Sequence, residues 1–365
     1  MKLHTDSKSN RKHHLIPSVV MAGVYGALLS LSLTPAPAQA EISRGKAWVW
    51  ADQPTTASYT PSTSYQYNST GGTNKIARLG VGQYRVDLPR LGTASGTVHV
   101  SAYNGKHHCK VVYWTPSGTT EQVRVNCFNT SGQLVDGRFT TLFYKRSGTT
   151  SGTNGYLWYS GSSTPASYQW NSKGQSNTVT SLGTGRYQAK LPGLNVVGGT
   201  VLVTAYGSGS EKCKVVNWSN SGSNTLANVN CFRGNNPVNT AFTLSYLRSS
   251  DGVGLGYGHK GGYVWADNTT AASYTPSTTY QYNSTGAVNT ITHSAVGSYR
   301  VRLPNLKPSN RTTTQVTAYG SNSEYCTVNG WGGDGSNGTY AYVDCYTYLG
   351  NPVNTRFTLT YLTNN

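Results

Sequence analysis

Apolar positions along this chain recur with a period of two, in short bursts. Val98-His99-Val100, Val201-Leu202-Val203 and Gln315-Val316-Thr317 alternate or run together as residues of a pleated strand do, and Arg138 to Tyr144 with its later equivalents does the same. Gly, Asn-Ser and Pro punctuate these runs about every ten residues, a spacing that predicts seven or eight strands per domain. No stretch beyond residue 40 has a helical apolar period with caps. The expected fold class is therefore all-β, with antiparallel β-sandwich domains of jelly-roll or immunoglobulin-like shape; periodicity leaves the strand order open.

The runs belong to a longer repeat. The series Trp50, Tyr67, Tyr84, Pro89, Tyr103, Cys109, Trp114, Cys127, Phe139, Tyr144 returns as Trp158, Trp170, Tyr187, Pro192, Tyr206, Cys213, Trp218, Cys231, Phe242, Tyr246. It returns again as Trp265, Tyr282, Tyr299, Pro304, Tyr319, Cys326, Trp331, Cys345, Phe357, Tyr361. A period of about a hundred residues is domain-sized, so three tandem sandwiches are expected, at 41–148, 149–255 and 256–365. The junctions 147–155 and 249–262 are rich in Gly and Ser and read as flexible linkers between independent beads.

Each copy holds two cysteines, 18, 18 and 19 residues apart, centred on Gly118, on Gly222 and between Gly335 and Ser336. A pair symmetric about a glycine turn faces itself across a hairpin, which predicts one hairpin disulfide per domain: Cys109–Cys127, Cys213–Cys231 and Cys326–Cys345. Zinc ligation fits poorly, because C-x-x-C spacing and consistent histidine partners are missing. In that register Cys109, Val111 and Tyr113 share the core face with Cys127, Val125 and Val123, while Lys110, Val112 and Trp114 face outward. Trp114, Trp218 and Trp331 thus become candidate stacking platforms for a ligand, unless a covering loop or a β-bulge turns them inward.

A second shared segment is Tyr65-Gln66-Tyr67-Asn68-Ser69, matched by Tyr168-Gln169-Trp170-Asn171-Ser172 and Tyr280-Gln281-Tyr282-Asn283-Ser284. Its aromatic positions share one strand face and its amides the other. The expected arrangement buries the aromatics and leaves Gln and Asn in solvent. The reverse would present Tyr65, Tyr67, Tyr168, Trp170, Tyr280 and Tyr282 as a polyol-binding surface.

Composition and charge narrow the function. Only 11% of residues are charged, while 27 Tyr, 8 Trp and 6 Phe supply large apolar areas, which argues against disorder. Residues 1–40 read as a secretory signal: Lys2, Lys8, Arg11 and Lys12 precede an apolar stretch from Leu15 to Leu33 and an Ala38-Gln39-Ala40 end. Cleavage there leaves 25 Lys and Arg against 11 Asp and Glu, a charge of +14, and no other segment has transmembrane length. The excess fades along the chain, +7, +5 and +2 over the three copies. Only Lys106, Lys110 and Arg124 approach a nucleic-acid patch, so nucleic acid is not an expected partner.

Catalysis finds little support. Glycoside hydrolysis needs paired carboxylates, and the eleven here rarely correspond between copies: Asp136 stands where the others have Asn239 and Asn354, and Glu211 and Glu324 stand where the first has His107. No G-x-S-x-G occurs, His99, His107 and His108 have no counterpart cluster, and Asp334 to Gly338 reads as a turn. No cofactor or metal is expected. The sequence points to a secreted, non-catalytic, multivalent protein for an extracellular glycan or anionic polymer. The competing expectation is a structural protein of the cell envelope or extracellular matrix that self-associates through edge strands.

Overall fold

A computed structural model describes residues 44–150, 152–248, 260–308 and 310–364. The segment read as a secretory signal and most of the second junction lie outside the described residues. The first copy contributes β1 (Gly45–Ala51), β2 (Ser58–Tyr59), β3 (Gln66–Asn68), β4 (Lys75–Gly80), β5 (Gln83–Leu88), β6 (Thr97–Tyr103), β7 (His108–Ser117), β8 (Thr120–Phe128) and β9 (Arg138–Lys145). The second contributes β10 (Gly155–Tyr159), β11 (Gln169–Asn171), β12 (Thr178–Gly183), β13 (Arg186–Pro192), β14 (Thr200–Tyr206), β15 (Lys212–Ser221), β16 (Asn224–Arg233), β17 (Asn236–Pro237) and β18 (Ala241–Leu247). The third contributes β19 (Lys260–Ala266), β20 (Ser273–Tyr274), β21 (Gln281–Asn283), β22 (Thr290–Ala295), β23 (Ser298–Leu303), β24 (Thr312–Tyr319), β25 (Tyr325–Gly333), β26 (Thr339–Tyr346) and β27 (Arg356–Thr363).

Each copy is a β-sandwich. In the first, an inner sheet β3-β1-β9-β6 packs on an outer sheet β2-β4-β5-β8-β7. Val49, Val98, Phe139 and Phe143 meet Ile76, Tyr84, Val86, Val111 and Val125 in the core between them. All three predicted disulfides form between directly opposite residues, at Cα separations of 4.0, 4.1 and 4.0 Å. The strand register also corrects the repeat. The counterpart of Tyr246 and Tyr361 is Phe143, because Ala47, Gly155 and Gly262 pair with Phe143, Tyr246 and Tyr361.

The copies are not independent beads. The outer sheet of the first continues through β7 into β14, the inner edge of the second; β15 of the second continues into β24 of the third; β25 of the third continues into β6 of the first. Each join is parallel, at Val111 and Tyr206, Val215 and Tyr319, and Val328 and Tyr103. Three nine-stranded sheets therefore close a ring. The described residues of the first glycine-rich junction are tied to the second copy: Trp170 Nε1 donates to the Gly148 carbonyl at 2.7 Å and Thr150 N to Ser172 O at 2.9 Å.

The inner sheets are buried on both faces, and their second face is rich in buried threonine. There Thr243 Oγ1 donates to Val98 O at 2.7 Å, Thr358 Oγ1 to Val201 O at 2.7 Å and Thr140 Oγ1 to Thr314 O at 2.9 Å, a circuit around all three copies. Threonine suits this position because it is β-branched yet can satisfy a neighbouring carbonyl. His99 lies in the same layer, with its ring nitrogens 3.3 Å from Thr204 Oγ1 and 2.6 Å from Ser245 Oγ. Burial lowers its pKa to about 3, so it serves here as a neutral core group.

Candidate functional site

Six of the nine aromatic residues singled out in the sequence, Trp114, Trp218, Trp331, Tyr65, Tyr168 and Tyr280, converge on the three joints between copies. Trp114, Trp218 and Trp331 do not face solvent; they are 5%, 8% and 8% exposed. The cause is a β-bulge: Val111 pairs with Val125, but Tyr113 then pairs with Arg124, so Val112 is an extra residue and the following faces swap. Tyr113 turns outward, 38% exposed, and Trp114 inward. The same irregularity falls between Val215 and Asn217 and between Val328 and Gly330. Lys110, expected outside, points away from its own core but is buried against the second copy.

Each tryptophan completes a quartet with three rings of the adjoining copy. Trp114 lies 6.0, 5.4 and 5.7 Å from Trp158, Tyr168 and Tyr206. Trp218 lies 5.8, 5.5 and 5.7 Å from Trp265, Tyr280 and Tyr319. Trp331 lies 6.1, 5.6 and 5.6 Å from Trp50, Tyr65 and Tyr103. These contacts are edge-to-face, the geometry that ring quadrupoles favour. The sequence series contained Trp50, Trp158, Trp265, Tyr103, Tyr206 and Tyr319, but only proximity between copies shows that they act together.

Tyr67, Trp170 and Tyr282 point to the inner layer instead; Tyr67 stacks 4.5 Å from Trp48. The amides between them are not in solvent, contrary to expectation. Gln66 Nε2 donates to Pro61 O at 2.6 Å, its Oε1 accepts from Asn74 N, and Asn68 Nδ2 donates to Asn74 Oδ1 and Pro89 O, each at 3.0 Å. Asn171 and Asn283 repeat the clamp.

Ion pairs hold two of the three joints at the disulfide end. Lys110 Nζ bonds Glu211 Oε2 at 2.6 Å and Lys214 Nζ bonds Glu324 Oε2 at 3.0 Å, each across two copies, and Arg233 also binds Glu211. Burial pushes the Glu211 pKa up, but Lys110 and Arg233 override it and hold the group at about 2. At the third joint Thr327 and His107 stand in these places, and His107 Nε2 binds Arg138 O at 2.8 Å. His107 lies near Cys109 and Cys127, yet both sulfurs are committed to their bridge. Asp136 also holds the backbone: it binds Arg78 at 2.8 Å and Gly82 N at 2.9 Å, and Asn239 and Asn354 repeat the backbone contact.

Beside the third quartet the surface opens into a cleft of about 500 Å³ between the third copy and the first. Tyr65 and Trp331 form its aromatic side, with Ser64, Pro308, Asn310 and Thr312 around them. Its floor is Gly332-Gly333, where the other copies carry Thr115-Pro116 and Ser219-Asn220. A Cβ on Gly332 would meet nothing within 4 Å, so glycine there leaves open space. Trp331 Nε1 donates to Thr312 Oγ1 at 2.8 Å, and Ser64 Oγ to Asn310 Oδ1 at 3.3 Å. A neighbouring cleft of about 180 Å³ joins Tyr67, Gln66 and Asn68 to Arg311. No protein-family model matches the chain, and no curated protein is significantly similar to it. Among the described residues no helix is long and apolar enough to cross a membrane.

Proposed function

We propose that this is an exported, non-catalytic protein that binds an extracellular glycan in the cleft between its third and first copies. The observation that carries this reading is the cleft itself: an aromatic side of Tyr65 and Trp331, hydroxyls and an amide at its rim, and a glycine floor that makes room for a sugar ring. Among the described residues that line it there is no carboxylate, histidine or cysteine, which suits retention over turnover. Arg311 in the adjoining cleft, together with the basic balance of the chain, favours an acidic polysaccharide. Three disulfides suit an oxidising compartment. Because the glycine pair occurs only in the third copy, this reading has one principal site per chain in place of three equal ones.

The test is binding to a panel of neutral and acidic polysaccharides by calorimetry or affinity electrophoresis. Gly332→Val should fill the cleft and weaken binding at least about tenfold with melting unchanged, since the new methyls enter open space. Arg311→Gln should weaken only the acidic members. Unchanged binding by Gly332→Val, or no binding of any polymer by the wild type, defeats the proposal.

A further inference from the structure

Strand β12 is an outer-sheet edge that the other copies cover. In the first copy β2 caps β4, pairing Ser58 with Ala77 and Tyr59 with Ile76, while Arg78 N donates to Ala57 O at 2.9 Å. In the third, β20 caps β22, pairing Ser273 with Thr292 and Tyr274 with Ile291, while His293 N donates to Ala272 O at 3.1 Å. The second copy has four residues between Tyr159 and Thr164, where the first has nine between Ala51 and Pro61, so the capping strand is missing. Among the described residues β12 pairs only with β13. Ile76 and Ile291 are sealed under their caps, whereas their counterpart Val179 is only partly buried.

We infer that β12 is a docking edge for β12 of a second copy of this chain. By correspondence with Ile76 and Arg78, the residues whose backbone groups point out of the sheet are Val179 and Ser181. An antiparallel two-fold centred on Thr180 sets Val179 of each copy against Ser181 of the other, so those outward groups form hydrogen-bonded pairs and Thr180 meets its own equivalent in a non-hydrogen-bonded pair. The strand Thr178-Val179-Thr180-Ser181-Leu182-Gly183 carries no charge, so self-pairing brings no like charges together; β4, in contrast, carries Lys75 and Arg78. The result is a doubled sheet in which each Val179 gains the cover that β2 and β20 provide elsewhere. It stands independently of the glycan reading.

The experiment uses the full secreted chain. All six native cysteines are bridged, so Thr180→Cys introduces a lone thiol, and its equivalent across the two-fold would sit at about 4.5 Å between Cα atoms. Mild oxidation should give a disulfide-linked dimer on a non-reducing gel. Ala77→Cys, at the capped equivalent position, should stay monomeric. By sedimentation the wild type should dimerise. Thr180→Lys, an exposed substitution, should raise the dissociation constant at least about fivefold by opposing two charges. Ser181→Pro, which removes an outward N–H, should raise it about tenfold. A wild type that stays monomeric, or a dimer that survives both substitutions without cross-linking through position 180, overturns the inference.

Discussion

Replacing Trp114 and its neighbour Tyr113 one at a time tests the bulge on which the joints depend. Trp114 is 5% exposed, packs against three rings of the next copy and donates its indole N–H to Ser95 O at 3.2 Å. Trp114→Ala should therefore cost ~3 to 5 kcal/mol through lost burial and a residual cavity. With an unfolding entropy of ~2.1 cal/mol/K per residue over about 300 residues, the melting temperature should fall by ~5 to 8 °C. Tyr113 is 38% exposed and its main neighbour is the Arg124 guanidinium, 5.7 Å above the ring. Tyr113→Ala should cost about 1 kcal/mol or less and shift melting by under ~2 °C. Differential scanning calorimetry on both variants reads the answer. Equal shifts, or a larger one for Tyr113→Ala, would mean that the register runs without the bulge and that the tryptophan is the exposed ring.

Two further outcomes follow from the ring. A fragment of residues 41–148 should fail to give a stable monomer, because it bares the β6 and β7 edges and the faces of Trp50, Tyr103 and Trp114; a cooperative, monomeric β-protein by circular dichroism and sedimentation would refute this. Glu211→Gln should destabilise the protein at pH 7 by about 2 kcal/mol, a value discounted for the partial exposure of the Glu211–Arg233 side. Because the folded pKa of Glu211 lies below the ordinary 4.5, at about 2, its contribution is complete above pH 4.5 and disappears as pH falls through about 2. The melting curves of variant and wild type should therefore converge between those values, and a constant gap would remove the ion pair as the cause.

Period-two alternation, glycine-centred cysteine pairs and the aromatic series were enough to read strands, sandwiches and bridges, because these arise within a single copy. The joints were not legible, since a strand edge carries no mark of which neighbour it will meet. Trp114 was misplaced for a related reason: one extra residue, Val112, reverses every later face, and nothing in the residue types announces it. Gln66 and Asn68 looked solvent-facing because amides usually are, yet Pro61, Asn74 and Pro89, from the segments before and after β3 and after β5, supply their partners. The Lys110–Glu211 and Lys214–Glu324 pairs left two traces, a lysine directly after the first cysteine and a glutamate two residues before it, each in two copies out of three. Gly332-Gly333 left another, an interruption of a strand that both other copies fill with side chains.

Closing the sheets in a ring has a consequence for the order in which the chain can be finished. Each hairpin staple spans 18 or 19 residues and can be set as soon as its own segment appears. The first inner sheet, however, waits for its neighbour until Val328 arrives to meet Tyr103. Such distant pairing makes closure slow and leaves bare edges while the rest of the chain is being made. Nor is β27 an end piece: it lies between β24 and β19, inside a sheet. A premature stop at position 356 would take out this interior strand and leave β24, which joins the third copy to the second, without its neighbour.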